Sequence, residues 1–507
     1  MYRYVILFLV IICCYPILSA DSFDQRVERL FNDESISNDS LYILYRDWIS
    51  YQQPGELDTL IRDYHIINDT LSAPFYYYLP PNYHVEKKTP ILIFLHGGVS
   101  RREFINDFAD YIQESPFLAF ARKNNWILHF PMGNIYTTWW SEMGMENIAY
   151  QIRYLKERYN IDDDRVYITG FSDGGSGAYQ LSMLDPNDYA AFYPLCGNML
   201  VGYAVTGIPV YTTNMQNRFL RAVNTELDEL YPAKRMRLLV ETAQSMGANI
   251  LYLEYWGFGH NYDFAPYDNP LMMNDLFKRT RDIIQPNLYW EASDLRWGGC
   301  DWIEITALDT QRTPETWQHH KTVSLPEDRV FFGFNEDAEY EGEGVKIGVI
   351  VENSVSEQMG LQAGDIIIAM DGKKTYDIGE LLTIRNTKKR GDDFHLTIIR
   401  KDAEIILEGA FPPVTYHEMF DYQQKSGALK ATYRGNTFEI RTSLVSQLAV
   451  YIHPEMVNLN VPVRILVNDV EVFNDFVEID REFMTKNFLN NKDRSANWIK
   501  RIKVDVP

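Results

Sequence analysis

Ten residues, Val166-Tyr-Ile-Thr-Gly-Phe-Ser-Asp-Gly-Gly175, constrain this chain more than any other stretch. An apolar, β-branched run stops at Gly170, and helix-forming residues follow the turn (Ala178, Leu181, Met183, Leu184). Strand, Gly-x-Ser-x-Gly and helix together form a nucleophile-elbow pattern. The pattern needs its glycines because the turn is sharp. Side chains two before and two after Ser172 would collide, while Ser172 itself is lifted above the end of the strand.

A serine hydroxyl is a poor nucleophile at neutral pH. It needs a base within hydrogen-bond reach and a carboxylate to orient that base. After this kind of turn the partners follow in the order serine, acid, histidine. Of ten histidines, His260 alone follows a strand (Asn249 to Tyr255) within a glycine-flanked loop downstream of Ser172. For the acid, Asp228 follows the strand Leu220–Asn224 and precedes a helix, with Glu226, Glu229 and Asp263 as competitors. Asp263 is too close to His260 in sequence to reach its ring easily. Two backbone N–H groups are expected to hold the oxyanion, one from Asp173 and one from Gly98 in the His96-Gly97-Gly98 turn. His96 itself reads as a bracing residue. Trp139 and Trp140 have two readings, as walls of an acyl or leaving-group pocket or as ordinary packing.

The alternation of strands and helices between about 71 and 285 argues for a mostly parallel sheet covered on both faces. Tyr76 to Pro81, Leu95 to Gly98, Tyr159 to Gly175, Asn224 to Pro232 and Gly257 to His260 together resemble the secreted α/β-hydrolase esterases. The polyhydroxybutyrate-depolymerase and feruloyl-esterase type is the nearest likeness, and the stretch is also similar to prolyl-oligopeptidase catalytic domains. The resemblance implies Ser172, Asp228 and His260 as the triad, no cofactor and no metal, and a small-molecule or polymeric ester as substrate. One departure is a longer, less strand-like segment at 197–219.

A second motif lies further on. Gly344 to Val351 reads as a strand and Ser354 to Gly360 as a short helix. Leu361-Gln-Ala-Gly-Asp365 then leads into the apolar strand Ile366–Met370 and an Asp371-Gly372 turn. This resembles a PDZ domain of the bacterial protease type. The resemblance implies binding of a peptide C-terminus, with Phe332, Gly333 and Phe334 as the carboxylate loop. The hairpins at 428–441 and 462–473 and the alternating runs at 287–292 and 301–306 read as one β-rich domain that this module interrupts.

The expected organisation is therefore a signal peptide at 1–20, a helical leader at 21–70 and an α/β-hydrolase doubly wound sheet at 71–285. A β-rich domain follows in two parts, 286–326 and 414–507, with the PDZ-like domain at 327–413 between them. Arg3, the apolar run Val5 to Ile12 and the small pair Ser19-Ala20 make the first 20 residues a secretory signal, and a secreted or periplasmic location follows. A retained anchor is the alternative, but the run is short for a span, and no transmembrane span is expected in the mature chain. With 48 basic against 70 acidic residues the net charge is −22, which disfavours nucleic acid as a partner. Cys196 and Cys300 read as free buried thiols. Asp162-Asp163-Asp164 reads as a solvated turn and His319-His320 as surface loop. Three functions remain open: an exported ester hydrolase, a serine peptidase whose PDZ-like module recruits chain ends, and a non-catalytic binder on a hydrolase scaffold.

Overall fold

Eight strands form a single mixed sheet in a computed structural model that describes residues 21–51, 53–337, 339–422 and 424–507. The expected signal peptide lies outside the described residues. The strands are β1 (Thr59–Asn68), β2 (Leu71–Leu79), β3 (Thr89–Leu95), β4 (Ile127–Pro131), β5 (Ile161–Phe171), β6 (Ala191–Leu195), β7 (Phe219–Thr225) and β8 (Ile250–Tyr255). Their order is β1-β2-β4-β3-β5-β6-β7-β8. From β4 to β8 every neighbouring pair is parallel, while β1–β2 and β2–β4 are antiparallel. Every residue of β3 and β4 is buried, as central strands covered on both faces must be. This topology is that of the α/β-hydrolase fold.

The sheet starts earlier than expected. Residues 59–68 form β1 and not the end of a helical leader; only α1 (Phe23–Asn32) and α2 (Asn38–Arg46) are helical there. The side chain of Asn68 accepts from the N–H groups of Thr70 and Leu71, which closes a tight turn into β2. Along β1 half-buried and exposed positions alternate from Ile61 onward, the mark of an edge strand with one wet face. The two leader helices do not lie on the sheet either. Phe23, Val27, Leu41, Tyr45 and Trp48 belong to a core with Trp290, Trp302 and Phe488 from the later β-rich region.

That region has two sheets. One has five strands, in the order 470–475, 463–467, 437–443, 427–434, 287–292; the other has four, in the order 299–300, 303–308, 445–452, 500–505. Each sheet pairs strands from before residue 309 with strands from after residue 426. By packing, the described residues from 21 to 320 and from 422 onward form one compact unit, and Lys321–Asp421 form another. In this second unit Val323–Glu327 pairs with Thr415–Met419. Its main sheet runs Phe334–Glu336, Val345–Ile350, Ile366–Met370, Asp393–Arg400, Ala403–Ala410, around a core of Phe332, Ile347, Ile367, Leu381, Leu396 and Phe411.

Further helices include α3 (Phe108–Glu114), α4 (Pro116–Asn124), α5 (Glu142–Arg158) and α6 (Asp173–Leu184). Lys156 of α5 anchors a buried charge network. Its Nζ lies 2.8 Å from Asp493 and 3.4 Å from Asp163, and Arg281 pairs with Asp493 at 2.9 Å. Arg494 donates to Asp163 at 2.7 Å. Asp163 and Asp164 therefore do not form a solvated turn: they stand at the start of β5, where they meet cations from residues 156, 281 and 494. Arg281 and Lys156 hold the Asp493 carboxyl well below the usual range, against the burial that pushes it up. Removing one partner of such a network strands the others without a counter-charge. Asp493→Ala is expected to cost about 3–5 kcal/mol of unfolding free energy, read from urea denaturation; an unchanged midpoint would show that the network adds nothing.

Candidate active site

Four loops at the carboxyl ends of parallel strands converge, the place where open α/β sheets assemble sites. Ser172 follows β5, Asp228 follows β7, His260 follows β8, and Gly97-Gly98 follow β3. Ser172 has φ 59° and ψ −116°, a strained conformation for a residue with a side chain. The turn is possible because its flanks are bare. A Cβ on Gly170 would lie 2.5 Å from the carbonyl carbon of Gly174, and one on Gly174 would overlap the carbonyl oxygen of Leu95 in β3.

The imidazole of His260 joins the two other groups. Its Nε2 is 2.8 Å from Ser172 Oγ and its Nδ1 is 2.7 Å from Asp228 Oδ2. The other oxygen of Asp228 accepts from the N–H groups of Leu230 and Tyr231, at 2.8 and 2.7 Å, so the buried carboxylate is fixed before it meets the ring. The competing acids are employed or placed elsewhere: Glu226 accepts from the Gly257 N–H, and Asp263 lies on the exposed surface. Leu227 N–H donates to Phe258 O at 2.9 Å, which ties the acid loop to the histidine loop.

The glycine turn after β3 lies against the serine. A Cβ on Gly97 would sit 3.0 Å from Ser172 Cβ and 3.6 Å from its Oγ. Gly98 adopts φ +68°, which favours glycine. Asp173 opens α6, and its side chain accepts from Val99 N–H at 2.9 Å, binding the two turns together. His96 braces the same turn: Gly133 N–H donates to its Nε2 at 2.9 Å, and Trp139 Nε1 donates to its carbonyl at 2.8 Å. Burial pushes His96 down to about 4, so the ring is neutral and able to accept.

Trp139 and Trp140 are 0% and 3% exposed. Neither presents its ring as the wall of an open pocket; Trp139 packs under Gly133 and Gly177 and supports the turn. The reading as pocket walls gives way to ordinary packing. The rings that do touch His260 are Phe171, at 5.2 Å, and Tyr231, at 5.8 Å. The sequence singles out neither, although Phe171 lies inside the Gly-x-Ser-x-Gly motif and Tyr231 three residues after the acid.

In the second unit Gly333 has φ +84°, and a Cβ there would collide with Ser354. Phe332 O accepts from Ser356 N–H and Gly333 O from Val351 N–H, both at 2.9 Å. Phe334 begins the strand at one end of the sheet order, and the Phe332 ring is buried in the core against Phe334, Phe394 and Phe411. Among the described residues no group of three or more His, Cys, Asp or Glu side chains is placed to hold a metal ion. Nor is any described helix long and apolar enough to cross a membrane.

Residues 326–408 match the family model of the PDZ domain. A curated protein, the bifunctional acetylxylan esterase/xylanase XynS20E of Neocallimastix patriciarum, is 28% identical over 137 residues, or 26% of this chain. The chain spans about a fifth of that protein's length, 19%. Among solved structures, a thermostable esterase is 22% identical with a TM-score of 0.36, covering 44% of this chain and 64% of that one. A ferulic acid esterase is 15% identical with a TM-score of 0.37, covering 44% of this chain and 99% of the other. By its own strand order and the match at residues 326–408, the chain combines an α/β-hydrolase fold with a PDZ domain.

His320 lies in exposed loop, as expected, but its ring has a buried partner. Its Nε2 lies 2.9 Å from Glu291 Oε1, a carboxylate that also accepts from Ser426, Gln318 and Tyr289. Burial opposes charge on His320, but Glu291 outweighs it and the net shift is upward from 6.5. Burial likewise raises Glu291, yet its hydrogen-bond donors, His320 foremost, bring it below 4.5. A raised histidine contributes stability in full below about pH 6.5 and loses it as pH rises through its folded value; a depressed glutamate contributes above about 4.5 and loses it as pH falls. The pair therefore stabilises most between those two values. Thermal melts of His320→Asn across pH 5–8 are expected to show the largest deficit near pH 5–6 and a smaller one at pH 8. A uniform deficit would assign the residue a packing role only. At the elbow, Gly174→Ala is expected to abolish soluble folded protein or shift its melting point sharply down, because the Leu95 carbonyl has nowhere to move.

Proposed function

We propose that the chain is an exported serine hydrolase that cleaves carboxylic esters through an acyl-enzyme. The observation that carries this reading is the single imidazole within 2.8 Å of a serine hydroxyl and 2.7 Å of a buried carboxylate. Ser172 Oγ attacks the ester carbonyl while His260 Nε2 takes its proton. Asp228 holds the ring in the tautomer with a proton on Nδ1 and steadies the imidazolium that forms. The proton passes to the departing alkoxide, which leaves as an alcohol. Water then attacks the acyl-serine, with His260 again as base, and releases the acid. The oxyanion is assigned to the N–H groups of Gly98 and Asp173, next to Ser172 on the two turns that Val99 and Asp173 bind together. The name of the curated relative, an acetylxylan esterase/xylanase, supports an ester substrate. Export rests on the composition of residues 1–20.

The PDZ domain favours a second reading, in which the same machinery cuts peptides and the domain recruits chain ends along the strand that starts at Phe334. Parallel assays on aryl esters and aminoacyl amides separate the two. Ser172→Ala is expected to lower kcat/KM for a 4-nitrophenyl ester on the order of a thousandfold or more and to abolish labelling by a fluorophosphonate. Labelling that survives the substitution would remove Ser172 from the mechanism.

A further inference from the structure

We propose that Arg101 is a specificity-determining residue of this site, selecting esters that carry a carboxylate or similar anion beyond the scissile bond. The inference rests on the reading of Ser172 as nucleophile. The reactive hydroxyl, the glycine turn and the guanidinium follow one another in space. Gly97 faces Ser172 Oγ, and the next residue, Gly98, turns its bare face to Arg101, whose Nη2 lies 2.8 Å from where a Cβ on Gly98 would sit. A side chain at 98 would occupy the place of the cation.

The guanidinium is held there by backbone. Arg101 Nε donates to Gly98 O at 2.8 Å, and Arg101 O accepts from Ile135 N–H at 2.9 Å. Among the described residues no carboxylate pairs with it. Arg218, Arg221, Arg279 and Arg281, all in the same compact unit, each have an aspartate within 3.1 Å. Asp173, on the adjoining turn, is engaged by Val99 N–H and forms no ion pair with Arg101. A guanidinium has five N–H donors in a planar fork. One is used on Gly98, so the outer edge remains for a carboxylate or sulfate, which it fits two bonds at a time. The side chain is exposed, so it is accessible to a substrate arriving at Ser172.

The rival explanation is that Arg101 only braces the turn. Bracing affects every substrate alike; charge recognition affects only anions. The full-length protein is therefore assayed on two matched ester pairs. One pair is 4-nitrophenyl butyrate and 4-nitrophenyl hemisuccinate; the other is phenyl acetate and 4-carboxyphenyl acetate. The readout is the ratio of kcat/KM for the anionic over the neutral member. For at least one pair, Arg101→Gln is expected to lower this ratio roughly ten- to a hundredfold, the usual worth of a charge-assisted hydrogen bond. Arg101→Lys restores part of it. Arg102→Gln, which removes the same charge one residue away, leaves it within about twofold. In the wild type the ratio falls between 0.05 and 0.5 M salt, a measurement that needs no variant. An Arg101→Gln protein that loses both members of each pair equally, an Arg102→Gln protein that behaves like it, or a salt-independent wild-type ratio overturns the proposal. Labelling of Ser172 by a neutral fluorophosphonate separates the two levels. If it fails, both readings fall; if it succeeds with the ratio unmoved, only the role of Arg101 does.

Discussion

Two backbones approach so closely that only a hydrogen can stand between them. The α-carbon of Gly174 lies under the carbonyl of Leu95, the last residue of β3, and no side chain fits there. Because β3 and β5 are parallel neighbours in register from Ile91 with Val166 to Leu95 with Gly170, their following turns emerge side by side. One contact therefore sets two things at once. It lifts Ser172 into its strained conformation, and it brings Gly97 and Gly98 alongside. His260 and Asp228 come from the loops after β8 and β7, beyond β6 along the same edge.

The two ends of β5 do opposite work. Its start carries Asp163, buried with Lys156 and Arg494 in a network where every charge has an opposite. Just past its far end, about 30 Å away at the rise of an extended chain, stands Ser172 among partly exposed polar groups. Buried charges hold position but resist change, since losing any one leaves the others uncompensated. On the proposed reading the serine end needs the reverse: groups that exchange protons and admit a ligand. The network also ties residues 493 and 494, near the chain terminus, to the strand that presents the serine.

The reactive end was legible in the sequence because its rules are local. A glycine pattern marks a sharp turn, and the order serine, acid, histidine narrows ten histidines to His260. The PDZ module was legible for the same reason, through Gly360-Leu361 and Gly364-Asp365 around an apolar strand. What stayed hidden depends on partners far along the chain. Asp163 and Asp164 look like a solvated turn until Arg281, Asp493 and Arg494 are brought to them. His320 looks unpartnered until Glu291, 29 residues earlier, is folded beside it. The first strand is hidden because the aromatic and aliphatic spacing that fits the leader helices also runs on through residues 59–68. There the better signal is the Asn68 turn and the run of β-branched and aromatic residues before it. Trp139 and Trp140 show that large aromatics near a reactive loop are as readily its foundation as its walls.

The paired strands 323–327 and 415–419 mean that the chain enters and leaves the PDZ module at one doorway. Ninety or so residues are thus strung between two points that already touch, and both host sheets are completed by segments on either side. Such an arrangement is a cassette: in the currency of chain topology, the module can be lengthened, exchanged or deleted for a short link without unthreading a single strand of its host. A lineage could exchange that module while leaving the loops around Ser172 alone.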